Sequence, residues 1–210
     1  MHILPPQKMN LNTYRIEKLA NINSENFEYI NFENEELTNL ELNNMDFECC
    51  TLKNITLLNA NLEKISFQDV IFENCNFSNS NFVDSSFIRC EFKNCKLAGC
   101  NLSENRLYNV IFTETNANYI NLSMASIENI LFKNSQMRNS YFQETKTKNL
   151  YFENVDLTQA QFFKTSLNGI DLSSCNIEGI VISIEDIKGA TVDQFQAVNL
   201  LYLLGIKVKY

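Results

Sequence analysis

Ala60-Asn61-Leu62-Glu63-Lys64-Ile65-Ser66-Phe67-Gln68-Asp69-Val70-Ile71-Phe72-Glu73-Asn74-Cys75-Asn76-Phe77-Ser78-Asn79 is the stretch that decides the architecture. A large apolar residue returns at every fifth position: Leu62, Phe67, Phe72, Phe77. Two residues before each stands a small or apolar one: Ala60, Ile65, Val70, Cys75. The positions between are mostly Asn, Asp, Glu, Ser or Lys. Such a period matches neither the 3.6 of a helix nor the 2 of a simple strand. It fits a chain that makes one short straight step and one corner per repeat, with two side chains of each step pointing inward.

The same register runs outward in both directions. From Ile22 to Ile187 every fifth residue is large and apolar except Ala117 and Thr147. Six of the seven cysteines, Cys50, Cys75, Cys90, Cys95, Cys100 and Cys175, fall on the inner stripe two residues earlier; Cys49 does not. Free cysteine is among the most buried residue types, so these read as core thiols kept reduced rather than as a disulfide framework. The start, Met1-His2-Ile3-Leu4-Pro5-Pro6-Gln7-Lys8, has no basic region followed by an apolar run, and Leu200–Leu204 is too short to cross a bilayer. A cytoplasmic protein without membrane contact is expected.

Catalytic chemistry has little to stand on. His2 is the single histidine, and there is no His/Cys ligand set, Gly-rich phosphate loop or Ser/His/Asp set. Cys90, Cys95 and Cys100 look like a motif, but spacing by five sends them to successive faces of one coil. No enzyme, metal or cofactor is expected.

Ala60-Asn61-Leu62-Glu63-Lys64, Cys75-Asn76-Phe77-Ser78-Asn79, Cys100-Asn101-Leu102-Ser103-Glu104 and Val155-Asp156-Leu157-Thr158-Gln159 follow one pattern. It is a small residue, Asp or Asn, Leu or Phe, then two polar residues. This resembles the pentapeptide-repeat family. The resemblance implies an all-β fold, a right-handed quadrilateral β-helix in which four steps close one coil. It divides the chain into an N-terminal arm or cap (1–20), the repeat β-helix (21–190) and a C-terminal capping and dimerisation unit (191–210). Glu25, Glu35 and Glu185 occupy would-be inner positions, so the first and last coils should be irregular. No helix is expected before residue 190.

After Thr191 the pattern changes. Asp193 followed by Gln196 reads as a capping box, residues 194–204 as a helix, Gly205 as its stop, and Ile206–Tyr210 as a strand. Phe195, Val198, Leu201, Tyr202, Leu204, Ile206 and Val208 exceed what a small cap needs to bury. They are expected to form a homodimer interface. A helix-Gly-Ile/Val ending after unbroken repeats resembles the loop-free Gram-positive Qnr-type quinolone-resistance proteins. That resemblance implies a dimeric rod that binds DNA gyrase and topoisomerase IV, without binding nucleic acid itself.

The surface offers two candidate partner sites. The net charge of −8 is uneven. Residues 22–73 hold 11 acids against 2 bases, whereas residues 74–191 hold 12 against 10. Asp46, Glu48 and Glu63 represent the acidic end. DNA mimicry follows from the resemblance, but about eight coils span about 40 Å, where duplex DNA carries about 24 charges. The rod has under half of that. The second candidate is an apolar stripe at normally polar outward slots, Ile71, Ile111, Leu131 and Tyr151. Either a partner covers it or the N-terminal arm folds over it. Three roles stay open: a topoisomerase-binding protein that protects against quinolones, an interaction scaffold for another partner, and a self-immunity factor against a gyrase-targeting toxin.

Overall fold

The computed structural model describes residues 3–7, 15–17, 19 and 26–209. Glu25 and most of the expected N-terminal arm lie outside the described residues. The chain is a four-sided parallel β-solenoid in which, from Asn26 on, paired residues stand 20 positions apart, as in Phe72↔Phe92, Phe92↔Phe112, Phe112↔Phe132 and Phe132↔Phe152. Isolated bridges such as Asn81↔Asn101 and Tyr141↔Gln161 carry the same register along the other sides. The ladder begins earlier than the repeat pattern suggests, because Arg15–Glu17 pairs with Ile30–Phe32.

The corners explain the period. Every fifth residue takes positive φ, for example Asn74 at 55°, Asn79 at 60°, Asp84 at 57° and Arg89 at 51°. Asn is the commonest occupant because its short polar side chain tolerates the left-handed region. Stacked corners then hydrogen-bond to one another. Asn54 Nδ2 donates to Asn34 Oδ1 at 2.9 Å, and Asn94 Nδ2 to Asn74 Oδ1 at 2.8 Å. A second, less obvious set of Asn ladders runs off the corners, with Asn81 donating to Asn61, Asn101 to Asn81 and Asn121 to Asn101.

Inside, phenylalanine meets phenylalanine in two ways. Around a coil the rings are edge-on: Phe72–Phe77 cross at 84° and Phe77–Phe82 at 85°. Along the axis they stack, with centroids 4.3 Å apart for Phe72–Phe92, 4.7 Å for Phe92–Phe112 and 4.5 Å for Phe112–Phe132. Both are favoured aromatic geometries.

The inner small stripe has its own chemistry. Cys100 Sγ donates to Phe77 O at 2.8 Å, Ser80 Oγ to Leu57 O at 2.9 Å and Thr145 Oγ1 to Leu122 O at 2.8 Å. Each bond reaches back 23 residues, to the large inner position of the preceding coil. Cysteine, serine and threonine interchange here because each is small and carries one donor. All seven cysteines are free and buried, Cys49 included, although it stands at a corner.

Three expectations are corrected. First, a short helix α1 (Ile184–Ile187) precedes residue 190; Ser183 caps it by accepting from Asp186 N at 3.0 Å. Glu185 cannot enter the core, so the chain leaves the repeat there. Second, the irregularity expected at Glu35 falls just below it: Ile30–Thr38 pairs with Thr51–Leu58 in the 20-residue register, whereas Arg15–Glu17 pairs with Ile30–Phe32 only 15 positions on, and the Glu35 carboxylate accepts Leu19 N at 2.8 Å. Third, residues 206–209 form no strand and have no ladder partner among the described residues. Strand character needs a ladder partner, and the last coil is already covered. Tyr210 lies outside the described residues.

Candidate functional site

The C-terminal end is built in two layers. Helix α2 (Gln194–Leu200) starts on the expected capping box: Asp193 Oδ1 accepts from Gln196 N at 2.8 Å, and Gln196 Oε1 accepts from Asp193 N at 2.8 Å. The same Gln196 is buried and turns its Nε2 into the solenoid. It donates to Leu172 O at 2.9 Å, which also accepts Cys175 N, and to Cys175 O at 2.7 Å, the carbonyl that a further coil would otherwise satisfy. Tyr202 OH closes Ile180 O at 2.5 Å. A 3-10 turn, Leu201–Leu204, follows, and Gly205 ends it at φ 69° as expected. The inward apolar contacts come from Ile187, Ala190, Val192, Leu200 and Leu203.

The residues assigned to a dimer interface form the outer layer. Phe195 is 73% exposed, and Val198, Tyr202, Leu204, Ile206 and Val208 are exposed as well; Leu201 is half-buried. Tyr202 serves both layers, its ring outward and its hydroxyl inward. Tyr202 apart, capping therefore uses a different set of side chains from the seven read in the sequence.

The acidic end differs from the rest of the wall in how charges stack. Asp46 and Glu48 flank buried Phe47 on one face, and Glu28 lies directly beneath Glu48 in the ladder. Like charges one rung apart repel, and Gln68 eases this by donating Nε2 to Glu48 Oε1 at 3.0 Å. Glu63 sits beyond the next corner and accepts from Asn81 Nδ2 at 2.7 Å, so it does not share that face. Further along, successive rungs alternate in sign: Lys148–Glu128 at 2.6 Å, Lys133–Glu153 at 2.8 Å and Lys164–Glu144 at 2.9 Å. Each exposed pair is worth little, but together they neutralise the surface.

The apolar stripe is one rung column: Ile71, Glu91, Ile111, Leu131 and Tyr151 succeed one another. It is less open than the sequence suggests. Leu131 is only 8% exposed, while Ile71, Ile111 and Tyr151 are half-buried. Beside this column, residues 3–7 lie against the corner, with Leu4 N donating to Asn109 Oδ1 at 3.3 Å and Gln7 N to Asp69 Oδ1 at 2.9 Å.

Among the described residues no three His, Cys, Asp or Glu stand close enough to hold a metal ion. No helix among them is long and apolar enough to cross a membrane. Burial pushes the Cys90 and Cys100 thiols up to about 12, so both are neutral and unreactive near neutral pH.

Two family matches cover the solenoid. Residues 46–84 match pentapeptide repeats (8 copies), and residues 85–162 match a pentapeptide repeat region. No curated protein matches the whole sequence significantly. Among solved structures, a trypsin-treated form of QnrB1, a plasmid-mediated fluoroquinolone resistance protein, is similar at 20% identity and a TM-score of 0.43, covering 88% of this chain and 90% of that one. HetL, a pentapeptide repeat protein involved in heterocyst differentiation regulation from the cyanobacterium Nostoc, is similar at 16% identity and a TM-score of 0.43, covering 82% and 93%. With the two matched segments contiguous over more than half its length, the chain belongs to the pentapeptide-repeat family.

Proposed function

We propose that this chain is a non-catalytic binding rod that pairs through its C-terminal tail, docks on DNA gyrase or topoisomerase IV, and protects them from quinolones. The observation that carries the reading is the outward apolar layer of the tail. Phe195, Val198, Tyr202, Leu204, Ile206 and Val208 are exposed on an end whose cap is already complete. A bare patch of this kind marks contact with another surface. A two-fold copy would bury it, and would give residues 206–209 the ladder partner they lack. The acidic faces at Asp46 and Glu48 would then lie at the two far tips.

The topoisomerase target rests on the sequence resemblance to Qnr-type proteins, and the acidic tips supply a surface that a DNA-binding saddle would attract. A supercoiling assay with purified gyrase, with and without ciprofloxacin, tests it. The protein is expected to relieve inhibition, and Asp46→Lys with Glu48→Lys and Glu63→Lys is expected to weaken that relief, as is raising salt, since screening shortens to about 8 Å at physiological strength. Ile111→Ser with Leu131→Ser probes the stripe instead. Leu201→Asp with Val208→Asp should give monomers or aggregates by light scattering. If the wild type neither binds gyrase nor protects it, the topoisomerase reading fails, and a scaffold for another partner takes its place.

A further inference from the structure

The solenoid has four columns of corner residues, and among the described residues one of them is unlike the rest. Three columns, beginning at Asn34, Asn39 and Asn44, are exposed or half-exposed throughout. The fourth, through Cys49, Asp69, Arg89 and Asn109, is buried at Cys49 (4% exposed), Asp69 (4%) and Asn109 (1%). The chain's own residues 3–7 lie on this corner, and Pro6 is buried there.

The fit between arm and corner is one of spacing. Leu4 and Gln7 are three residues apart, about 10 Å when extended. Their acceptors, Asn109 and Asp69, are two rungs apart, also about 10 Å. Between these acceptors stands Arg89, which has no lone pair to offer. It is held by Asp69 in a bidentate pair, Nε–Oδ1 2.7 Å and Nη2–Oδ2 2.6 Å. Between the two donors of the arm stand Pro5 and Pro6, which have no N–H to give. Donors therefore meet acceptors, and prolines meet the one rung that cannot accept. Asn109 Oδ1 also receives Asn129 Nδ2 at 3.1 Å, which fixes the direction in which it faces the arm.

We infer that this corner is a binding groove for an extended, proline-containing segment with N–H donors flanking a Pro-Pro pair, filled in the free protein by residues Ile3–Gln7 as an exchangeable occupant. Matching of donors to acceptors over two rungs is recognition by pattern. Residues 3–7, held among the described residues by two hydrogen bonds and one buried proline, can leave without unfolding the coil. Their release bares Asp69 and Asn109, and so offers the site to a competing segment of the same chemistry.

The experiment uses full-length protein. In the wild type, the amides of Leu4 and Gln7 should exchange with deuterium slowly relative to a free peptide. Asn109→Ala should speed Leu4, and Asp69→Asn should speed Gln7, each on the order of tenfold. In a Leu4→Pro/Gln7→Pro variant the arm has lost both donors and the corner is intact. This variant should bind a fluorescent Ile3–Gln7 peptide by anisotropy more tightly than wild type, and adding Asn109→Ala should abolish the gain. An unchanged melting temperature shows that each variant is folded. Random-coil exchange at Leu4 and Gln7 in the wild type would overturn the inference. So would peptide binding that is absent, or equal in wild type and variant.

Discussion

The wall of the solenoid and its C-terminal tail are both rich in apolar side chains, yet only the wall hides them. Along the wall, Phe92, Phe112 and Phe132 are stacked and sealed, and the backbone ladder runs from each coil to the next. In the tail, Phe195, Tyr202 and Leu204 face solvent while Gln196, a polar residue, is buried. The inversion has a physical cause. A coil's partner is the next coil, so its interior is filled by repetition. The last coil has no successor, and its open carbonyls demand donors before they demand hydrophobic cover. The tail therefore places a donor inward and leaves apolar groups outside.

The contrast can be pressed with substitutions. Phe112→Ala should cost the most, about 3–5 kcal/mol by denaturant titration, because rings above and below hold the cavity open. An effect below about 1 kcal/mol would mean that the stack can collapse around the gap, and that the wall is less rigid than its geometry implies. Gln196→Ala should come next, at about 1–3 kcal/mol, since it removes the donor of the Cys175 carbonyl, while Leu172 O keeps only its bond from Cys175 N. The loss should appear as fraying of the last coil in amide exchange, with the Phe stack still protected.

A third comparison uses pH. The Cys90 and Cys100 thiols lie at about 12 when folded, raised by burial from an ordinary value of 9.0. A raised folded value means that their neutral form stabilises the wall fully below pH 9, and that this contribution is lost as the pH climbs toward 12. The melting temperature should fall across that window, and fall less in a Cys90→Ala/Cys100→Ala variant. Identical slopes would show that other groups carry the alkaline response. The smallest effect should come from Phe195→Ala, within about 0.5 kcal/mol in the isolated monomer despite the loss of a whole ring. A concentration-dependent loss of melting temperature in that variant would instead reveal how much a second copy leans on Phe195.

Most of the wall was legible because its code is local and repeated. Phe72 and Phe92 can be placed one above the other from spacing alone, and Asn34, Asn54 and Asn74 announce a corner by recurring in step. The capping box at Asp193 and the stop at Gly205 were legible for the same reason: both are short-range devices with fixed offsets. The failures lie where a residue answers to something distant. Glu35 looked like a break because an inward carboxylate is costly, but the Leu19 amide gives it a partner that spacing cannot reveal. The stretch after Gly205 alternates like a strand, yet none of the described residues pairs with it. Cys49 stands off the inner stripe, and it is buried all the same, at the corner column that the arm joins. The stripe through Leu131 looked open because periodicity describes which way a side chain points, and says nothing of how far its rung neighbours Ile111 and Tyr151 shield it. Of the candidate partner residues, Asp46 and Glu48 share a face as their spacing implies, whereas Glu63 is carried past a corner and joins a different side.

The corner at every fifth residue has a consequence for how such a molecule can change over generations. Removing one quarter of a coil would leave both flanking stretches internally correct, but would turn everything beyond the cut through about a right angle. Removing a whole coil would preserve every azimuth and shorten the rod by about 4.8 Å. The bearing of the acidic faces relative to the tail is thus adjustable in four discrete settings, and the distance between them in independent increments. Geometry of this kind lets the two ends be re-aimed without redesigning either one.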